Sequence, residues 1–444
     1  MLRYLLALFL IAYFFTAEGQ QDYSLFRDSG WSVHFQITGV AQAHPSFNAP
    51  YAGQNSLDSN SESAFSVTST LFLGRKLWKG ASIFFNPEMS GGRGIGSTLG
   101  IAGFPNGETF RIGDREPVVY VARFFLRQHF AIGQSKGEEV AVDDINQVNE
   151  KIPSSRLTVS LGKFCLADFF DENEVSHDPR NDFLNWGLMN NGAYDYAANT
   201  RGYTWGLIAE LVKPGWALRA GTALMPTYAN GPDLNFDYLK TNSETVEFEK
   251  KYSIKNRKGV VRLLGYFNTS KAPNYDSVVE AKKNGTDTSM DVIYGTEYGG
   301  KKYGFGLNIQ QELSDATNMF MRFGWNDGHT ATWAFAEIDN TISAGIRIYG
   351  RAWKRNEDNI GFAILSNGIS SSHRNFLNAG GYGFMIGDGK LPNYGRENIL
   401  EVFYQVKLFR YMWGSLDYQF VSHPAYNLDR GPVNVFAARI HIEL

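Results

Sequence analysis

The chain predicts an all-β fold: a transmembrane antiparallel β-barrel of about 16 strands, with one inward constriction loop that contains a short helix. Three observations lead there. The final segment, VNVFAARIHIEL, places Phe436, Ala438, Ile440, Ile442 and Leu444 on one face of a strand and Ala437, Arg439, His441 and Glu443 on the other. The N-terminus reads as an export signal. No later apolar run approaches the roughly 20 residues of a spanning helix. An exported chain with greasy outer faces and charged inner faces meets a membrane as a closed barrel, because an open sheet leaves backbone groups unpaired in lipid.

The export signal comprises Arg3, the apolar run Tyr4 to Phe15, and the small residues around Ala17-Glu18-Gly19. The run is too short to span a bilayer, and cleavage is expected near Gly19. Residues 1–19 are therefore assigned to a signal peptide and 20–444 to a single outer-membrane barrel domain. Period-two segments then begin near Trp31, Glu62, Gly80, Pro117, Arg156, Arg201, Gly215, Ser243, Arg257, Tyr303, Asn318, Thr341, Asn359, Arg396, Met412 and Pro432. In one of the cleanest, Leu400, Val402, Tyr404, Val406 and Leu408 oppose Glu397, Glu401, Gln405 and Lys407. Short links, such as that at Lys213-Pro214 and Ser314-Asp315-Ala316-Thr317, mostly alternate with long ones. Barrels of this kind have short periplasmic turns and long outer loops. The link from Ile132 to Ser155 breaks the rule: it is long yet falls on the periplasmic side. The stretch Asp291 to Tyr298 would spoil the even strand number and is placed in an outer loop. Trp31, Tyr120, Phe124, Trp205, Trp216, Trp325, Tyr404 and Tyr418 are expected on the outer face, as interfacial girdles. A large soluble sandwich or propeller is the rival fold, and these outward aromatics argue against it.

Composition narrows the function. Aromatics make up 15% of the chain and there are 46 glycines, which favours strands and turns over a helical bundle. A net charge of −3 supplies no basic face for nucleic acid. Cys165 is the only cysteine, so there is no disulfide framework; it reads as a small filler. The glycine-rich stretch Gly91 to Gly107 lacks the Lys-Ser ending of a phosphate loop and reads as a flexible outer loop dipping toward the lumen. The histidines show no metal-ligand spacing, and Ser371-Ser372-His373 has no nucleophile elbow.

Long segments resemble the carbohydrate-selective porins of Gram-negative outer membranes, the OprB type. They include GGRGIGSTLGIAGFPNGETFRIGDREPVVYVARFFLRQHF at 91–130, RLTVSLGKFCLADFFDENEVSHDPRNDFLNWGLMNNGAYDYAANTRGYTWG at 156–206, and RFGWNDG with AFAEID at 322–339. The segments at 367–404 and 422–441 complete the set. The resemblance implies a 16-stranded porin for sugar diffusion in the outer membrane of a Gram-negative bacterium, with loops folded into the channel. Ser135 to Lys151 and Lys271 to Thr288 are less recognisable.

Alternation also names the lumen side. Its bases include Arg123, Arg127, Arg156, Arg219, Arg262, Arg322, Arg347 and Arg439; its acids include Glu88, Glu210, Glu247, Glu249, Glu397, Glu401 and Asp417. Mixed signs fit a neutral, polyhydroxylated solute, since arginines donate to hydroxyls and carboxylates accept from them. Simple cross-strand pairing is the plainer reading for more than half of them. The segment Asp168 to Thr200 is the expected constriction loop, with a helix from Asp178-Pro179 to Asn190 ended by Asn191-Gly192. Its acids also read as a solvated or a calcium-bound loop, although their spacing matches no EF-type loop, and no metal or cofactor is assigned. The pore-constriction set is Glu88, Arg93, Arg123, Arg127, Asp171, Asp182, Trp186 and Arg347. For Trp186 and Phe183, packing against the inner wall competes equally with ligand contact. Neutral sugars and outer-membrane lipids are the expected partners, with monomer and homotrimer both open. A barrel hydrolase acting on carbohydrate or lipid is the alternative function, although no motif supports it; an outer-loop adhesin is a third.

Overall fold

The computed structural model describes residues 30–109, 116–133, 138–335 and 337–444. The expected signal peptide lies outside them. Eighteen strands follow in chain order: β1 (Trp31–His44), β2 (Glu62–Trp78), β3 (Ala81–Gly92), β4 (Val118–Ala131), β5 (Glu138–Ala141), β6 (Glu150–Pro153), β7 (Arg156–Phe164), β8 (Thr204–Lys213), β9 (Trp216–Ala223), β10 (Asn242–Ile254), β11 (Arg257–Ser270), β12 (Gly300–Ser314), β13 (Thr317–Asn326), β14 (Asn340–Tyr349), β15 (Asn359–Gly368), β16 (Glu397–Phe409), β17 (Met412–Ser422) and β18 (Val433–Glu443). All but β5 and β6 form one closed antiparallel barrel, sealed where β1 pairs with β18 from Gln36↔Glu443 to Ala43↔Phe436. Closure leaves no edge, so every spanning backbone group can pair within the wall.

The sixteen barrel strands begin within three residues of the sixteen expected starts. The reason is physical. Alternate side chains face lipid and lumen, so the period-two signal survives in each strand. Val119, Leu161, Leu263, Phe305, Ile364, Leu416 and Phe436 are exposed on the outer face. In β18 the partners of that face, Val435, Ala437, Arg439 and His441, are buried inside. Asp291 to Tyr298 holds no strand and lies within the loop between β11 and β12. Tight turns such as Lys79-Gly80, Lys255-Asn256 and Arg410-Tyr411 mark one end as periplasmic. The long link between β4 and β7 lies at that end and carries the small β5–β6 hairpin.

One aromatic departs from its expected side. Pro87 lies inside β3, where it cannot donate to the ladder, and the pairing with β4 shifts register between Asn86 and Pro87. The bulge changes which residues of β4 face inward. Val119 and Val121 are exposed outside, whereas the Tyr120 hydroxyl donates to Glu88 at 2.6 Å. Tyr120 therefore belongs to the lumen and not to a girdle.

The outer loops fold into the barrel, and carboxylates of the wall and of neighbouring loops hold their backbone. Glu397 accepts from the N–H groups of Ala102, Gly103 and Ala425 at 2.7–2.9 Å. Asp195 accepts from Trp333, Ala334 and Phe335, and Glu337 accepts from Met385 and Ile386. A buried N–H without an acceptor costs about 1–3 kcal/mol. Glu397→Ala, which orphans three, is expected to destabilise the packed loops by about 3 kcal/mol or more. Limited proteolysis should then cut outer loops faster, while the heat-modifiable gel shift of the folded barrel is retained.

Candidate functional site: the channel constriction

The loop from Cys165 to Tyr203 crosses the lumen, and its seat decides where space remains. The Asp171 carboxylate pairs with Arg322 at 2.9 Å and accepts from Asn308 at 2.8 Å, while its N–H donates to Glu247 at 2.7 Å. Arg322 is fully buried and also donates to the carbonyls of Ser176 and Leu188. Asp182 pairs with Arg347, and Arg439 donates to the Pro179 and Asp182 carbonyls. Glu401 accepts from the N–H groups of Leu184 and Asn185 at 2.6 and 2.9 Å. Phe183 packs between Phe320 and Phe403, with ring centroids 5.7 and 5.0 Å away. Gly306 and Gly324 let Asn191 lie against the wall; a Cβ at either would overlap its amide. The anchors come from β10, β12, β13, β14, β16 and β18. The loop is thus drawn to one side, and the space left lies against β1 to β4.

The expected helix from Asp178 to Asn190 does not form as one piece. Asp178 starts a single turn, in which its carbonyl accepts from Asp182 N–H at 2.7 Å. The grip of Glu401 on Leu184 and Asn185 then holds the chain out of helical pairing. A short helix, Trp186–Met189, follows with Asn185 as N-cap.

Against β1 to β4 lies a cavity of about 330 Å³. Glu88 projects into it from β3 and accepts from Thr70, Tyr120 and Tyr203 at 2.6, 2.6 and 2.9 Å. Arg180 reaches across from the loop to Glu88 at 3.3 Å, Glu108 at 2.7 Å and the Gln36 amide oxygen at 2.9 Å. On the other side Arg123 and Asp168 form a two-point ion pair, at 2.7 and 2.6 Å. Burial disfavours the charge on Arg180, but the Glu108 and Glu88 carboxylates outweigh it and raise its pKa. Burial raises the Glu108 carboxyl, with Arg180 opposing. The third side is aromatic. Trp186 stacks on Phe104 at 5.2 Å and meets Phe335 at 4.4 Å, and Phe335 stacks on Tyr196 at 5.4 Å. Cys165 also lines the space; burial and the neighbouring Asp168 push its thiol pKa up to about 12, which keeps it a neutral filler.

A family model described as carbohydrate-selective porin, OprB family, matches residues 54–444. The chain belongs to that family. It is an outer-membrane porin of a Gram-negative bacterium, and its family and fold are those of a channel. Among solved structures, the high-pH structure of Pseudomonas putida OprB matches with a TM-score of 0.71 and 15% identity, over 95% of this chain and 96% of that one. The low-pH structure of the same protein matches with a TM-score of 0.50 and 12% identity, covering 95% of each chain. At these identities the likeness concerns the fold. No curated protein matches the chain.

The porin brings three of the eight expected constriction residues together. Glu88, Arg123 and Trp186 line the cavity. Arg127 lines a second space below it, stacked over Phe84 and Phe125. Asp171, Asp182 and Arg347 stand elsewhere, as the ties of the loop to the far wall. Arg93 pairs with Glu62 at 3.3 Å near the outer end of β2, away from the cavity. Arg180, Glu108 and Tyr203 were not singled out from sequence. Arg180 follows the Asp178-Pro179 turn, where no strand alternation marks a side as inward. Among the described residues, no group of three His, Cys, Asp or Glu is placed to hold a metal ion. Removing Arg322 leaves Asp171 as an unpaired buried charge, which costs about 3–5 kcal/mol. Arg322→Ala is expected to loosen the loop, seen as larger open-channel current and noise in planar bilayers.

Proposed function

We propose that neutral sugars diffuse passively through the cavity against β1 to β4, and that Glu88, Glu108, Arg123, Arg180 and Trp186 form its eyelet. The observation that supports this is the arrangement of the lining: carboxylates and guanidiniums on two sides, aromatic rings on the third. A sugar presents hydroxyls at its edges and C–H groups on its faces. Carboxylates accept from the hydroxyls and arginines donate to them. A ring beside them covers the apolar face. Both charge signs stand at the narrow part, so neither anions nor cations gain a strong advantage.

The same reading makes the protein a channel and not an enzyme. The carboxylates nearest the solute are held by arginines: Glu88 and Glu108 by Arg180, Asp168 by Arg123. In the outer loops, Ser372 donates to Asp276 at 2.6 Å, and the His329 ring nitrogen stands farther off, at 3.4 Å. Incubation with oligosaccharides is expected to release no reducing sugar.

Liposomes carrying the porin are expected to swell faster in a neutral hexose than in ions of similar size. Arg123→Ala or Trp186→Ala should weaken sugar block of single-channel current about tenfold, the loss of one charge-assisted hydrogen bond or one stacking face. No channel activity from folded protein would contradict the reading.

A further inference from the structure

The long periplasmic link has a use that the outer constriction does not explain. Its described part, residues 138–153, forms the β5–β6 hairpin, and the connecting tip turns up into the barrel. The tip is closed by mutual backbone bonds between Asp144 and Gln147. It bears on three wall strands. Ser32 of β1 donates to the Asp144 carbonyl at 3.2 Å, and His34 meets Asp143 at 3.4 Å. Asn86 of β3 donates to the Asn146 side chain at 2.8 Å, and Arg127 of β4 donates to the Asn146 carbonyl at 3.0 Å. Val148 is 2% exposed and joins the cluster that contains Phe84, Phe125 and Phe169. The base of the hairpin is more open: Glu138, Glu139 and Val140 are exposed, with Glu139 pairing with Arg156 of β7 at 3.1 Å.

The tip stands where one space gives way to another. Ile145 lines the cavity of the eyelet. Gln147, Val148 and Glu150 line a second cavity of about 280 Å³ on the periplasmic side, opposite Arg127, Glu172 and Glu210. Asp168 borders both, so its ion pair with Arg123 lies at the junction. We propose that this hairpin tip, Asp143 to Val148 against Arg127 and Asp168, is a second, exit-side filter that sets the size of solute leaving the eyelet for the periplasm. The proposal rests on the channel reading above. The filter is polar on both faces: Gln147 and Glu150 on the hairpin, Arg127 and Glu210 on the wall with Glu172 of the constriction loop. It therefore admits the same neutral, hydroxylated solutes and discriminates among them by size.

Val148→Asp puts a carboxylate among aromatic rings and should expel the tip. The expected result is a single-channel conductance raised about twofold and faster liposome swelling in a disaccharide relative to a monosaccharide. Asn146 has a left-handed backbone, φ 54°, so Asn146→Ala is a milder way to loosen the same turn. Asp144→Cys, coupled to a bulky maleimide added on the periplasmic side, should lower conductance; the original chain treated alike should not change. Should Val148→Asp not fold, the Asn146→Ala channel and the Asp144→Cys conjugate decide. Unaltered conductance and sugar ratio in the folded variants, with no effect of the conjugate, would overturn the filter. If the original chain conducts in that case, the channel reading stands and only the filter falls; if it forms no channel, the channel reading itself fails.

Discussion

Backbone polar groups drawn into the barrel must find partners, and the rest of the structure follows from that need. Much of the outer-loop chain does not lie over the mouth as solvated segments. It packs inside the barrel, where a bare N–H or carbonyl is costly. The inner wall supplies what it lacks. Glu397, Glu401 and Glu247 accept loop N–H groups, while Arg322 and Arg439 donate to loop carbonyls. Each buried charge is in turn compensated by the dipoles that it holds. Such charges are expensive to bury alone and tolerable when fully bonded, which makes them good at fixing one loop position.

The position so fixed is lopsided, and the function depends on this. The constriction loop is tied to the wall from β10 to β18, so the cavity of the proposed eyelet lies beside β1 to β4. The lumen charges then divide by role. Arg322, Arg347, Arg439, Asp171 and Asp182 hold the loop. Glu88, Glu108, Arg123, Arg180 and Asp168 line the cavity of the proposed eyelet. The cavity thus keeps both signs in its lining while much of the lumen charge is spent inside the fold.

Strands and their sidedness were legible because lipid and water select opposite residues at every second position, as in Leu400 to Leu408 against Glu397 to Lys407. Depth and partner were not. Arg322 and Arg347 were placed inward correctly, but alternation says nothing of what lies opposite, and Arg322 meets a loop residue 151 positions away. The Asp178-Pro179 start did make a turn, yet the helix beyond it was overridden by Glu401, a tertiary contact with no local trace. Tyr120 shows a signal that was present and unread: Pro87 within a strand marks a bulge, and the bulge reverses the side of what pairs beyond it. The inward reach of the periplasmic link was visible only as excess length between Ile132 and Ser155.

The division of lumen charge into structural and solute-facing groups is the central claim, and the reversal potential across a salt gradient tests it most directly. The original channel should show weak ion selectivity. Arg180→Gln removes a solute-facing cation and should shift the channel toward cations. Arg347→Gln, which removes an equal charge from the loop anchor, should leave selectivity close to the original. Equal shifts in the two variants, or a strong selectivity in the original channel, would contradict the account.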